Sequence, residues 1–182
     1  MSQINYSIKI VESLLKRENH VRGLAKELGT NQTTIARKLK ELYKENAVDF
    51  RFEGKNKVFS LKKSLEAKQY CCIMEQFSLL YSIKKHPELR IIAQKISENE
   101  KIGLAILFGS YAKNTAAKDS DIDIYIDTTS TAIKDEVELI NSKINVKIGK
   151  YDKNSLLIRE IEKGHIILKG TEQYYERASL FA

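Results

Sequence analysis

The amino-acid sequence predicts an α+β protein: an N-terminal module of helices and a β-hairpin, then a C-terminal domain with a short mixed sheet flanked by helices. Three observations support this fold class. Apolar residues recur at helical spacing over residues 5–42 and then alternate over residues 48–61. Further along, an apolar run at residues 103–108 precedes an alternating run at residues 119–126. Finally, the excess of positive charge is confined to the N-terminal module.

The charge distribution suggests where the chain divides. Residues 1–64 hold 14 Lys and Arg against 7 Asp and Glu, so the net charge of +7 leaves 17 basic and 17 acidic residues elsewhere. A basic module attached to a neutral one is typical of proteins that bind a polyanion. We expect a nucleic-acid-binding domain at residues 1–64, a connecting or dimerisation helix at 65–90 and a second domain at 91–182.

Several classes of protein are disfavoured. No run approaches the roughly 18 apolar residues of a membrane span, so no membrane partner is expected. The N-terminus lacks a basic stretch followed by an apolar one, which predicts a cytoplasmic protein. Cys71 and Cys72 are adjacent and the three histidines are scattered, a pattern that does not predict a zinc site.

The first domain is predicted to contain three helices. The first covers residues 5–17, and the second covers residues 21–28 and stops at Gly29, which suits a left-handed conformation. Asn31 is positioned to cap the third helix. The buried stripe of that helix comprises Ile35, Leu39 and Leu42.

The opposite face of the third helix and the hairpin at residues 48–61 carry polar and basic side chains. We expect the helix to reach base edges in the major groove and the hairpin, with a basic turn at residues 53–57, to touch phosphates. The candidate DNA-binding residues are Gln32, Thr33, Arg37, Lys40, Lys55 and Lys57.

The segments 24–29 and 34–39, followed by the hairpin, resemble the winged helix-turn-helix of bacterial and archaeal transcription regulators. The resemblance implies double-stranded DNA as a partner. Because such modules usually act on two half-sites, it also implies a homodimer. A three-helix module for protein contact, with a solvated basic face, is the alternative.

A long helix is predicted over residues 66–89. It would either mediate dimerisation or connect the two domains, and Pro87 predicts that it ends near His86. Its apolar residues at three- and four-residue spacing are Ala67, Tyr70, Met74, Phe77 and Tyr81.

The second domain begins with a candidate phosphate site. The apolar run at 103–108 predicts a buried strand, and a helix is expected to begin within residues 111–114. Gly109 would let the backbone approach a phosphate, Ser110 would add a hydroxyl, and Lys113 would add a cation. These three are the candidate nucleotide-binding residues.

Ten residues separate Ser110 from Asp121, which lies in the alternating segment 119–126. Asp121 and Asp123 are predicted to project from one face of a strand, about 6.5 Å apart. Mg²⁺ commonly takes one or two carboxylates together with phosphate oxygens. Asp121 and Asp123 are therefore the candidate catalytic and metal-binding residues, with Mg²⁺ as cofactor and a nucleoside triphosphate as ligand.

The segments 107–113 and 119–123 resemble the polymerase-beta-type nucleotidyltransferases, specifically the small minimal family, and the resemblance extends over residues 91–170. It implies transfer of a nucleoside monophosphate to an acceptor hydroxyl, with a protein acceptor as in toxin–antitoxin pairs. Active members generally carry a third carboxylate on the next strand, at a position that we align with Lys147.

Two functions follow. The chain is either a DNA-binding nucleotidyltransferase, or a transcription regulator whose second domain is catalytically inactive and serves dimerisation or nucleotide sensing. An RNA-binding module is a weaker third alternative, because the sequence indicates no cluster of surface aromatic residues. We expect His165, Tyr174 and Tyr175 to pack in the core.

Overall fold

The computed structural model describes residues 6–181, which divide into two compact units, the first comprising the described residues up to Met74 together with Leu180 and Phe181. The second unit spans Glu75–Ser179. The division falls inside a helix, within the segment predicted to connect the two domains. No helix among the described residues is long and apolar enough to cross a membrane.

The first unit has the element order of a winged helix. Its elements are α1 (Tyr6–Lys16), β1 (Asn19–His20), α2 (Val21–Glu27), α3 (Gln32–Lys44), β2 (Val48–Glu53), β3 (Asn56–Leu61) and the start of α4 (Leu65–Lys85). Strand β3 lies between β1 and β2 and is antiparallel to both. The predicted three helices and hairpin are therefore confirmed.

Local signals fix the turn between α2 and α3. Gly29 has φ +61°, the left-handed conformation expected there. Asn31 Oδ1 accepts a hydrogen bond from the Thr34 amide at 2.8 Å, which confirms the predicted cap. The core beneath these helices includes Ile10, Val11, Leu14, Leu24, Ile35, Leu39, Leu42 and Phe59.

Two details of the sheet that contains the wing, the β2–β3 hairpin, differ from the prediction. The turn between β2 and β3 is only Gly54-Lys55 rather than residues 53–57, because the ladder continues to the Glu53–Asn56 pair. The two-residue strand β1 was not predicted, since it is too short to show an alternating pattern and exists through its pairing with β3.

Helix α4 ends at Lys85, two residues before Pro87, as predicted. Its expected apolar residues do not share one surface, however. Ala67 and Met74 are buried, whereas Phe77 and Tyr81 are exposed. Within the second unit, the exposed apolar stripe of α4 instead comprises Phe77, Leu80 and Tyr81.

The second unit contains a four-stranded sheet. Its remaining elements are α5 (Leu89–Glu98), β4 (Ala105–Phe108), α6 (Gly109–Ala112), β5 (Ile122–Asp127), α7 (Thr131–Glu138), β6 (Ile144–Gly149), α8 (Leu156–Glu162), β7 (Ile166–Lys169) and α9 (Thr171–Arg177). The strand order is β6-β5-β4-β7, with β5 parallel to β6 and both other pairings antiparallel. The predicted short mixed sheet flanked by helices is confirmed.

Apolar side chains from one face of this sheet meet those of α5 and α7. This core includes Leu89, Ile92, Ile96, Leu107, Ile122, Ile124, Ile126, Ile133, Val137 and Val146. Helix α5 has no counterpart in the prediction, although its apolar spacing is helical. The helix after β4 begins at Gly109 itself, earlier than the predicted start within residues 111–114. Tyr174 and Tyr175 are buried, as expected.

Candidate functional site

Gly109 lies where β4 ends and the single turn α6 begins. Its φ of +70° is a left-handed conformation that L side chains rarely adopt. A Cβ at this position would lie 2.5 Å from Asp123 Oδ2. The glycine therefore allows both the sharp turn and the close approach of the Asp123 carboxylate to the backbone.

Asp123 is half-buried on β5, on the sheet face opposite the core formed by Ile122 and Ile124. Its register partner on β6 is Asn145, and the Asn145 Nδ2 group donates a hydrogen bond to Asp123 Oδ1 at 2.9 Å. The side chain that faces Asp123 from the next strand is therefore an amide.

Lys147, which we align with the third carboxylate position, does not face Asp123. Lys147 lies opposite Tyr125, one pleat beyond Asp123, and is exposed to solvent. The register between two strands that are distant in sequence cannot be read from either strand alone. The structure shows that Asn145 occupies the position beside Asp123.

Asp121 immediately precedes β5 and is exposed. Strand β5 begins at Ile122, whereas the alternating pattern predicts a strand from residue 119. Within residues 6–181 its carboxylate has no hydrogen bond or ion pair, so its oxygens can take a ligand. Ser110 is half-buried in α6, directly after Gly109.

Lys113 is engaged elsewhere. Its Nζ atom lies 2.5 Å from Glu160 Oε1 on α8, and Glu160 also pairs with Lys163 at 3.2 Å. These two cations hold the pKa of the Glu160 carboxyl below its usual value, through hydrogen bonds first and charge attraction second. Lys113 thus already has an acidic partner, with which a phosphate would compete.

Asp127, on the same side of β5 as Asp123, has a structural role. It accepts a hydrogen bond from the Tyr151 amide at 3.0 Å and pairs with Arg177 at 3.2 Å. Among the described residues, no three His, Cys, Asp or Glu side chains form a group suited to hold a metal. The available oxygen donors are those of Asp121 and Asp123, a set that fits Mg²⁺ when phosphate oxygens complete the shell.

In the first unit, the predicted contact residues of α3 are all exposed: Gln32, Thr33, Arg37 and Lys40. Arg37 pairs with Glu41 at 3.2 Å, and Lys38 pairs with the same carboxylate at 2.6 Å. These cations lower the pKa of Glu41, chiefly through the Lys38 hydrogen bond. Lys40 has no acidic partner within the described part of the chain.

The wing lysines Lys55 and Lys57 are also exposed, and neither forms an ion pair in residues 6–181. Arg51, in contrast, is held by Glu18 and Glu53. The wing and α3 border one groove, which Arg22 also lines. Arg22 was not predicted as a contact, because its place beside the wing depends on the tertiary fold.

The expectation of no surface aromatic cluster was wrong. Phe50 contacts Tyr43, Phe52 and Phe59, with ring centroids 5.4, 5.7 and 5.7 Å apart. Tyr43 and Phe52 are largely exposed. These residues come from α3 and both wing strands, so their clustering is visible only in the folded unit.

Comparison with known families supplies the assignment for the second unit. Residues 90–173 match the model of the family described as polymerase beta, nucleotidyltransferase. This segment is a nucleotidyltransferase-fold domain. Its limits agree closely with the resemblance found over residues 91–170, and it includes Gly109, Asp121 and Asp123. Comparison with curated proteins gave no match.

Three solved structures are similar to part of the chain. The transcriptional repressor BigR from Xylella fastidiosa is 21% identical, covers 41% of this chain and 74% of its own, and has a TM-score of 0.37. Reduced HlyU from Vibrio cholerae is 23% identical, with coverages of 42% and 77% and a TM-score of 0.36. The adhesin competence repressor AdcR from Streptococcus pyogenes is 18% identical, with coverages of 52% and 78% and a TM-score of 0.38.

Proposed function

We propose that the chain is a DNA-binding regulator whose nucleotidyltransferase-fold domain binds a magnesium–nucleotide complex as a signal and does not turn it over. The DNA-binding part rests on one observation. Four cations, Arg22, Lys40, Lys55 and Lys57, surround a single groove between α3 and the wing, and none has an acidic partner within residues 6–181.

The polar face of α3 is suited to the major groove of duplex DNA. Gln32 and Thr33 lie in its first turn, where a recognition helix contacts base edges. Lys40 and Arg37 lie on the same exposed face, and Lys55 and Lys57 reach out from the wing. We assign the cations to phosphates and the first-turn side chains to bases.

The second unit supports nucleotide binding through the contact of Gly109 with Asp123 and the unpartnered carboxylate of Asp121. Two carboxylates with nucleotide phosphates are a common environment for Mg²⁺. Asp121 and Asp123 would hold the ion, which would neutralise phosphate charge. The Ser110 hydroxyl and the backbone amide at Gly109 would donate hydrogen bonds to the phosphates, and Lys113 would join them after leaving Glu160.

Asn145 is the observation that favours binding without turnover. Its amide donates a hydrogen bond to Asp123, whereas a carboxylate there could accept a proton from an attacking hydroxyl or bind a second cation. Nucleotidyl transfer to a protein hydroxyl is the second candidate function, and the retained Asp121 and Asp123 favour it.

Calorimetric titration with ATP and GTP, each with and without Mg²⁺, tests the nucleotide site. We expect metal-dependent binding to the wild type and its loss in Asp121→Asn. Asp119→Asn removes an exposed carboxylate two residues away and should bind as the wild type does. If the wild type binds neither nucleotide, the site is wrongly assigned. Transfer of radiolabel from the nucleotide to protein would show that the domain is an enzyme and not a nucleotide sensor.

We further propose that the regulator is a homodimer formed through α4. Three large apolar side chains on one stripe of this helix, Phe77, Leu80 and Tyr81, all in the second unit, are between 51% and 63% exposed. Exposed apolar side chains that are contiguous along one helix face mark an interaction surface. A second copy of the same helix is a self-complementary partner for it, as a two-fold interface requires.

A further inference from the structure

The groove between α3 and the wing is larger and more apolar than phosphate contacts require. It encloses about 700 Å³ and also receives residues at the start of α2. Its floor is formed by Leu39, Tyr43, Phe50 and Phe59. A cavity of this size falls within the range of roughly 300–1,000 Å³ that holds a ligand rather than a few waters.

The aromatic floor leaves ring surface open to solvent. Tyr43 is 48% exposed, and Phe52, at the edge of the cluster, is 66% exposed. Phe50 lies between them and contacts both rings. Apolar ring faces at a surface are stabilised when another flat group covers them, and nucleobases are such groups.

The rim supplies the complementary charge for a nucleotide backbone. Arg22, Lys40, Lys55 and Lys57 line the groove, and no Asp or Glu among residues 6–181 does. Lys57 Nζ lies 3.9 Å from the centroid of the Phe50 ring, so this cation already covers one aromatic face. A phosphate would attract Lys57 more strongly than the ring does. When Lys57 moves to the phosphate, the face of the Phe50 ring becomes accessible.

The bases of duplex DNA cannot use this floor, because neighbouring base pairs cover their faces. Stacking on a protein ring requires a base that is unstacked and unpaired. We propose that the groove between α3 and the wing binds an unpaired nucleotide of single-stranded DNA, with its base against Tyr43 and Phe50 and its phosphates at the lysines. This activity goes beyond duplex binding: the cations are shared with the proposed duplex contacts, and only the stacking on Tyr43 and Phe50 is specific to an unpaired base.

The chain contains no tryptophan, which allows a direct reporter. In full-length Tyr43→Trp, titration with a 15-residue oligothymidylate should quench the single tryptophan, as stacking on a base predicts. Tyr43→Ala should weaken binding of the fluorescein-labelled oligonucleotide by roughly 5- to 150-fold, the range expected for losing one stacked base. Tyr43→Phe keeps the ring and should bind as the wild type does. Circular dichroism would verify that each variant is folded.

Parallel titrations with a mixed-sequence duplex and with oligouridylate separate the alternatives. We expect Tyr43→Ala to leave duplex affinity unchanged and Arg37→Ala to lower it, so failure of one proposal is distinguishable from failure of the other. An unchanged oligothymidylate affinity in Tyr43→Ala would overturn the inference. So would an equal loss of duplex affinity, which would place Tyr43 in the duplex interface, or tighter binding of oligouridylate, which would assign the groove to RNA.

Discussion

Gly109 and Asp123 are in contact across the end of the β4–β5 ladder, and the contact depends on the missing side chain of the glycine. A Cβ at position 109 would lie 2.5 Å from Asp123 Oδ2 and 3.5 Å from its Cβ. Asp123 cannot swing away freely, because Asn145 donates a hydrogen bond to its other oxygen. The turn that would hold phosphate and the carboxylate that would hold metal are thus coupled.

Gly109→Ala tests this coupling. The left-handed φ alone should cost about 1–2 kcal/mol of stability, and displacement of Asp123 should add to it and abolish magnesium-dependent nucleotide binding. Gly149→Ala is the control, since it has open space around its Cβ position and no positive φ. Thermal unfolding of the double variant Gly109→Ala, Asp123→Ala should show a smaller penalty for the alanine at 109. An equal penalty in both backgrounds would mean that the two positions are independent.

Asn145→Asp should convert the amide beside Asp123 into a second negative charge. Two carboxylates directly opposite each other on neighbouring strands repel, so the variant should unfold at a lower temperature without metal. Mg²⁺ should restore its stability and bind more tightly than to the wild type, because an ion that binds only the folded state stabilises it. Lys147→Asp adds the same acid one pleat away and should show no such dependence. Equal magnesium effects in both would contradict the register.

Lys40→Ala should reduce affinity for duplex DNA and lower the slope of log K against log salt concentration by about 0.9, the value for one phosphate contact. Arg37→Ala should have the smaller effect on affinity. Its pair with Glu41 must first be broken, at a cost of about 0.3–0.5 kcal/mol for an exposed pair of this spacing. Lys147→Ala, in the other unit, is the charge control. Fluorescence anisotropy at several salt concentrations would measure the affinity and its salt dependence. An unchanged slope in Lys40→Ala would show that Lys40 does not contact a phosphate.

Most elements could be predicted because their signals are local. The cap at Asn31, the stop at Gly29 and the apolar stripe of α3 lie within a few turns of one another in sequence. The spacing from Gly109 to Asp123 likewise spans one connection between adjacent strands. Such features follow from short-range propensities that tertiary contacts then reinforce.

The parts that could not be predicted depend on long-range pairing. Asn145 meets Asp123 through parallel pairing of two strands that a helix separates in sequence. The sequence-based register differs by two residues and puts Lys147 at that position instead. Tyr43 and Phe50 are separated by a turn and belong to different kinds of element, so no single period displays their contact. For the same reason, the sequence did not predict that Arg22 lines the groove. The sequence predicts where a residue lies in its own helix or strand, but not which residue of another element it contacts.

Leu80→Glu should convert the proposed dimer into a monomer. Leu80 is 63% exposed, so a glutamate there is tolerated by the folded monomer but would be buried, unpaired, against a second copy of α4. Ile91→Glu makes the same change at an exposed residue of α5 and should leave the dimer intact. Sedimentation velocity over a range of concentrations would distinguish them. A monomeric wild type, or equal behaviour of both variants, would argue against α4 as the interface.

Tyrosines whose pKa is raised in the folded state should make the protein less stable at alkaline pH. Burial, followed by the hydrogen bond to Glu45, raises the pKa of Tyr70 to about 12. In the second unit burial is also the first cause that raises the pKa of Tyr125, Tyr151 and Tyr174 above the ordinary value of 10.0. The folded chain therefore keeps protons that the unfolded chain releases.

Because the folded state binds more protons above pH 10, its free energy of unfolding should fall as pH rises from there. The stabilisation from neutral phenols is complete below pH 10 and is lost as pH approaches the folded pKa values. Tyr151→Phe removes one such group, together with its 2.9 Å hydrogen bond to Glu162, and should flatten this decline while costing stability at pH 7. Tyr43→Phe, at an exposed position outside the proposed α4 interface, should change neither. Urea unfolding between pH 7 and 12 would measure the slopes, and parallel curves for Tyr151→Phe and the wild type would show that the Tyr151 proton is not linked to folding.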